Sequence, residues 1–188
     1  ATVTSKYSPI HIQCEVGQPY GSISSGYTCG FHTGIDFPKV GVAEANPELF
    51  SCSEDGEVVY IYTKSTGTTP ALGNQVQIRD NRTGLYYRYC HMLHGSIQVK
   101  VGDKVTTATK LGRMGNTGNS TGTHLHLEAS TTQSWQCESF VNPGESLGIP
   151  NIRGTIVLYD DIPEPPVYIK KKKKFPWVIY FKKFRERY

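Results

Sequence analysis

No stretch of this 188-residue chain repeats its apolar residues with a helical period for long enough to build a helix of ordinary length, which excludes most architectures at once. What it carries instead are short runs rich in β-branched and aromatic residues, each closed by glycine or a polar turn. Residues 56–63 (GEVVYIYT) and 74–79 (NQVQIR) are of this kind, and residues 80–84 (DNRTG) form a turn before 85–90 (LYYRYC), so 74–90 reads as a hairpin. Residues 110–114 lead into a Gly-rich loop, 115–122, and 123–129 read as a further strand. Glycine (19) and tyrosine (12) are plentiful and only 19% of residues are charged, which fits an all-β globule with many turns.

The length suits one domain with its own core plus an appendage. The texture changes near residue 160: three prolines, five consecutive lysines and an aromatic-basic ending set a linker and tail, 160–188, apart from a domain at 1–159. The net charge of +4 is concentrated in that tail and the body is close to neutral, so a nucleic-acid-binding surface is not expected. Two readings of the tail stand: a flexible or packing extension, or an attachment to an anionic wall or membrane surface or to a protein partner. No apolar run approaches the roughly 20 residues that cross a bilayer, and no basic-then-apolar signal opens the chain. It starts at Ala1 without a methionine, which leaves a removed leader or an upstream region open.

Five cysteines, an odd number, cannot all pair within the chain, and no C-x-x-C occurs. A mostly reduced set is expected, with two bridges and one free thiol as the alternative. Strand alternation turns Cys90 to the face opposite His91, where it reads as a buried structural thiol.

The chemistry sits in six histidines. His124 and His126 flank Leu125 in T-H-L-H-L-E, so on a strand both imidazoles share one face while Leu125 and Leu127 point to the core. His32 and Asp36 lie four apart in F-H-T-G-I-D-F-P, where Gly34 and Pro38 argue for a turn-to-strand junction and against a helix. A carboxylate near an imidazole suits a metal site or a general-base pair. Catalytic zinc takes three nitrogen or oxygen ligands and keeps one position open, and His32, Asp36 and one of His124 or His126 would supply that set. His94 and His11 read as solvated. Glu128 shares the face of His124 and His126, where it reads as a hydrogen-bonding support or a general base.

The segment G-F-H-T-G-I-D-F, followed far downstream by G-N-T-G-N-S-T-G-T-H-L-H-L-E, resembles the paired signature of the lysostaphin-type (LytM-type) zinc endopeptidases. Between them, Tyr87-Arg88-Tyr89-Cys90-His91 is similar to that family's strand with an isolated catalytic histidine, and the match covers residues 18–128. The resemblance implies an antiparallel β-sheet under a groove that holds the metal and an extended peptide. It implies zinc on His32, Asp36 and His126, with His91 and His124 as base and transition-state stabiliser. Tyr20 and Tyr27 are both candidates for an aromatic hydroxyl ahead of the first ligand, and Asn116 and Ser120 for groove-lining contacts.

The expected function is hydrolysis of peptide crosslinks or stem peptides of bacterial peptidoglycan, outside the cell, at the wall, or as a phage-tail component. The alternatives are a catalytically silent scaffold of the same fold and an assembly protein that works through its tail.

Overall fold

The computed structural model describes residues 1–39 and 44–161. Apart from Asp160 and Asp161, the tail assigned to residues 160–188 lies outside the described residues. In chain order the elements are β1 (Thr2–Ser5), β2 (Cys14–Glu15), β3 (Gly34–Pro38), β4 (Glu48–Phe50), β5 (Gly56–Tyr62), β6 (Asn74–Asp80), β7 (Tyr86–Met92), β8 (Lys104–Val105), β9 (Lys110–Arg113), β10 (His124–Ser130), a 3-10 turn (Cys137–Ser139), β11 (Phe140–Val141), α1 (Pro143–Leu147) and β12 (Ile156–Tyr159). The expected β-dominated, antiparallel fold is what the chain adopts. No described helix is long and apolar enough to cross a membrane.

Seven strands make the main sheet, in the order β11-β10-β7-β6-β5-β8 with β3 also on β10. All its pairings are antiparallel. The hairpin read at 74–90 is β6 and β7. Two small sheets flank it, β1-β12-β2 and β4-β9. In the first, β1 runs parallel to β12, a pairing across almost the whole chain that no local pattern announces.

Alternation then sorts the main sheet into two faces. Leu125, Leu127 and Ala129 of β10, Tyr87 and Tyr89 of β7, Val76 and Ile78 of β6 and Val58 of β5 are all buried in one core. Tyr89 is tied in at its polar end: its hydroxyl donates to Phe50 O at 2.8 Å and accepts from Cys52 N at 2.9 Å, joining the main sheet to the β4 segment. The helix α1 is a single capped piece. Asn142 accepts from Gly144 N at 2.9 Å, Pro143 opens the helix, and Gly148 closes it in the left-handed region at φ 66°.

Two sequence-based expectations need correction, and a third, the mostly reduced cysteines, holds for three of the five. His11 is not solvated: its ring lies between Phe50 and Tyr159, 3.5 Å from each ring centroid. Those partners come from β4 and β12, so only the tertiary fold reveals the sandwich. Cys90 is not on the face opposite the histidines. It pairs directly with His126 across the β7–β10 ladder and so shares its side of the sheet, buried beneath the site. The cysteines are also not simply reduced. Cys29 and Cys137 form a disulfide across 108 residues, tying the loop ahead of His32 to the segment beyond β10, while Cys14, Cys52 and Cys90 are free and buried.

Burial pushes the Cys14 and Cys52 thiols up to about 12 and Cys90 well above its ordinary value. Iodoacetamide is therefore expected to label no cysteine of the native protein, three after unfolding and all five after unfolding and reduction, as read by intact mass. Labelling of any thiol under native conditions would contradict this burial.

Candidate metal centre

The register of β3 against β10 sets His126 opposite Asp36. His32 joins them from the preceding loop, which folds back on itself: His32 N donates to Ser22 O and Gly21 N to His32 O, both at 2.8 Å. The H-x-x-x-D segment is thus a turn-to-strand junction, as its glycine and proline indicated. Three imidazole nitrogens converge on one carboxylate oxygen, Asp36 Oδ1: His126 Nδ1 at 2.7 Å, His32 Nε2 at 3.3 Å and His124 Nε2 at 3.8 Å. The ligand atoms of His32, Asp36 and His126 all lie within 4.8 Å of one another.

Hydrogen bonds behind the rings decide which nitrogens face inward with a lone pair. A carbonyl only accepts, so His32 Nδ1 must donate to Pro19 O at 2.9 Å, His91 Nδ1 to Thr117 O at 2.7 Å and His124 Nδ1 to Gly122 O at 2.8 Å. In the neutral ring the Nε2 atom then carries the lone pair. For His32 that atom lies 3.3 Å from Asp36 Oδ1. Two acceptors held this close call for a cation between them, either a proton or a metal.

His126 differs, because both its nitrogens meet carboxylates: Nδ1 faces Asp36 and Nε2 faces Glu128 Oε1 at 3.1 Å. Burial disfavours its charge, but the bonds to Asp36 and Glu128 outweigh that and raise its pKa to about 9. The carboxylates answer in the opposite sense. Burial alone would raise Asp36, yet the hydrogen bond from His126 Nδ1 holds it well below the usual range. Glu128, almost wholly buried, is likewise held at about 2 by His126 and Arg88. A metal on this cluster would take the place of the Nδ1 proton of His126.

His91 reaches the same place through an irregularity. Between Asn74↔Met92 and Val76↔Tyr89 the β6–β7 register shifts, leaving an extra residue on β7, and His91 sits in the left-handed region at φ 59°. Such a bulge re-aims a side chain. It turns His91 to the side that Cys90 already faces, with its ring centroid 4.8 Å from His124 and 6.0 Å from His126. Burial lowers its pKa to about 4, so the ring is neutral near pH 7. The Gly-rich loop is fitted tightly against this bulge. Gly118 is left-handed at φ 82°, and a Cβ there would come within 2.4 Å of Gly73 N, so the close approach that delivers Thr117 O to His91 requires glycine.

A groove of about 560 Å³ opens over these residues, lined by all five site residues, by Tyr27, Thr28 and Phe31 of the loop before β3, and by Asn119, Ser120 and Thr121. Of the two candidate tyrosines, Tyr27 lines it, its ring 5.4 Å from His32. Tyr20 instead packs on the core and donates its hydroxyl to Phe140 O at 3.1 Å. Ser120 lies in the groove 3.2 Å from His124 Nδ1 and donates to Asn116 Oδ1 at 2.6 Å, while Asn116 itself stands outside the groove lining. His94 is exposed.

Thr33, Arg88, Thr117 and Trp135 escaped the sequence reading. Thr33 Oγ1 donates to Glu128 Oε1 at 2.6 Å, and Arg88 Nε pairs with Glu128 Oε2. Register alone could have found Arg88, which stands opposite Glu128 as Cys90 stands opposite His126.

An antiparallel sheet that brings a loop-borne histidine, a strand aspartate and an H-x-H strand to one groove is the lysostaphin-type peptidase fold. The catalytic domain of lysostaphin from Staphylococcus simulans superposes with a TM-score of 0.58 at 27% identity, covering 72% of this chain and 92% of that domain. A mutant of the catalytic domain of the prophage-encoded M23 protein EnpA from Enterococcus faecalis gives 0.53 at 30% identity, over 69% and 88%. The family model for peptidase family M23 matches residues 30–143, more than half of the sequence. The chain belongs to that family. Among curated relatives, the peptidoglycan DD-endopeptidase ShyA of Vibrio cholerae is 36% identical over 97 residues (52% of this chain, 20% of ShyA), and the glycyl-glycine endopeptidase ALE-1 of Staphylococcus capitis 31% identical over 116 residues (61% and 29%). The chain thus spans less than a third of either relative.

Removing the His126 ring would leave Asp36 and Glu128 facing each other without the cation that both bond. In the metal-free protein His126→Ala is expected to cost about 3 kcal/mol, the usual scale for breaking a buried ionic network. His124→Ala, at a more exposed ring, should cost about 1 kcal/mol or less. Urea denaturation of the two variants checks the order.

Proposed function

We propose that this chain is a zinc-dependent endopeptidase that hydrolyses peptide bonds in the crosslinks or stem peptides of bacterial peptidoglycan, at the wall or outside the cell. One observation carries the proposal: His32 Nε2 and His126 Nδ1 meet on one carboxylate oxygen, Asp36 Oδ1, at 3.3 and 2.7 Å. Two imidazole nitrogens and a carboxylate are a zinc-binding set, and the groove leaves room beside them. The names of ShyA and ALE-1 support peptidoglycan as the substrate.

When bound on His32, Asp36 and His126, zinc would supply Lewis acidity toward a peptide carbonyl and make a water more acidic. The protein's own part is proton handling and orientation. His91 and His124 are fixed at Nδ1 by the Thr117 and Gly122 carbonyls, so each offers Nε2 to take a proton and return it to a departing amine. Tyr27, Thr28 and Ser120 line the groove in which an extended peptide would lie. Residues 160–188 would add a basic, aromatic element for an anionic surface or a protein partner.

Metal analysis of the purified chain should find about one zinc per chain, and purified peptidoglycan should release new amino termini that a chelator suppresses. His126→Ala is expected to abolish both zinc retention and cleavage. His91→Ala should keep the zinc and lose about 100-fold or more of the turnover, the contribution typical of a positioned acid or base. Cleavage retained by either variant would overturn the assignment.

A further inference from the structure

Glu128 is 1% exposed, and the groups around it form a chain that leads away from the groove. Its Oε1 accepts from Thr33 Oγ1 at 2.6 Å and faces His126 Nε2 at 3.1 Å, while Oε2 pairs with Arg88 Nε. The Arg88 guanidinium in turn lies under the Trp135 ring, 4.2 Å from its centroid, with Phe140 at 5.9 Å on the same cation. Trp135 is itself anchored: Nε1 donates to Gln77 Oε1 at 3.0 Å, and Gln77 Nε2 donates to Gln75 Oε1 at 3.0 Å. Two residues on, Cys137 bonds Cys29, three residues before His32.

Trp135 stands in the left-handed region at φ 53°. Only one other non-glycine residue among those described does so, and it is His91 of the groove. A bulky side chain there is strained and persists only where its surroundings hold it. The strain here sets an indole over a cation that would otherwise meet water. Covering that guanidinium strengthens its pairing with Glu128, because charges attract more strongly where water is excluded.

We propose that Trp135, Arg88 and Glu128 form a positioning array for His126. Trp135 shields Arg88, Arg88 and Thr33 fix both oxygens of Glu128, and Glu128 holds the His126 ring through Nε2 so that Nδ1 is presented to Asp36 and His32. The inference rests on the reading of His32, Asp36 and His126 as a zinc site. None of the three array residues needs to touch the metal or the substrate.

Trp135→Ala is the decisive variant, since it removes the cover without leaving a buried charge unpaired, as Arg88→Ala would. Zinc affinity, measured by competition with a chromophoric chelator, is expected to fall on the order of tenfold in Trp135→Ala and toward 100-fold in Glu128→Gln, the range for partners that orient a ligand. Trp135→Phe, which keeps a ring over Arg88 but loses the bond to Gln77, should restore wild-type affinity. In the metal-free protein labelled with nitrogen-15 histidine, the Nε2 proton of His126 should exchange slowly in the wild type and in Trp135→Phe, and quickly in Trp135→Ala. Unchanged zinc affinity and unchanged exchange in Trp135→Ala would overturn the array. Failure of the wild-type chain to bind zinc would instead overturn the metal reading, with the exchange measurement still deciding whether Trp135 governs His126.

Discussion

The antiparallel register of β3 against β10 is the constraint on which the site depends. It sets Asp36 beside His126, and because side chains alternate along a strand it also commits Leu125 and Leu127 to the core. A slip by one residue would exchange those sets and bury the imidazoles in apolar packing. The fully buried leucines therefore fix the geometry of the histidines between them. The same logic passes to β7, whose register against β10 brings Arg88 and Cys90 to the side of Glu128 and His126.

Charge then does what register alone cannot. The site holds two carboxylates, Asp36 and Glu128, on either side of one imidazole, and both are partly or wholly removed from water. Unpaired, each would be costly to keep ionised. Placed across His126 they stabilise its cationic form, and it stabilises their anionic forms. The two carboxylates differ in their other partners. Asp36 has further nitrogens aimed at it from His32 and His124, whereas Glu128 is saturated by Thr33 and Arg88. That asymmetry supports the proposed roles, with Asp36 as a ligand and Glu128 as its neighbour's support.

Much of this was legible in the residues. The short β-rich runs at 56–63, 74–90 and 123–129 became β5, the β6–β7 hairpin and β10, because period-2 patterns bounded by turns are local signals. The H-x-H and H-x-x-x-D segments pointed to the residues that converge, since strand alternation and a turn-to-strand junction are also local. What failed was non-local or irregular. The parallel pairing of β1 with β12, the stacking of His11 between Phe50 and Tyr159, and the Cys29–Cys137 bridge each join segments far apart in sequence. Strict alternation predicts the wrong face for Cys90 because it runs through a bulge that the sequence does not mark.

The bulge and the Trp135 turn are the places where a non-glycine backbone leaves the regular pattern. Along β10 every side chain takes the face its position dictates, and the sheet could have formed with β7 equally regular. A regular β7 would have pointed His91 away from the side of Cys90 and His126, leaving the groove one imidazole short. The left-handed backbone at His91 is compensated by what surrounds it: His91 N donates to Leu72 O, its Nδ1 donates to Thr117 O, and Thr117 Oγ1 donates in turn to Met92 O. Trp135 shows the same pattern, with the bond to Gln77 and the nearby disulfide around it. Both strained residues thus sit on well-bonded frames. Strain confined to such points is tolerable because the rest of the sheet, with its fully buried core, supplies the stability that they withhold.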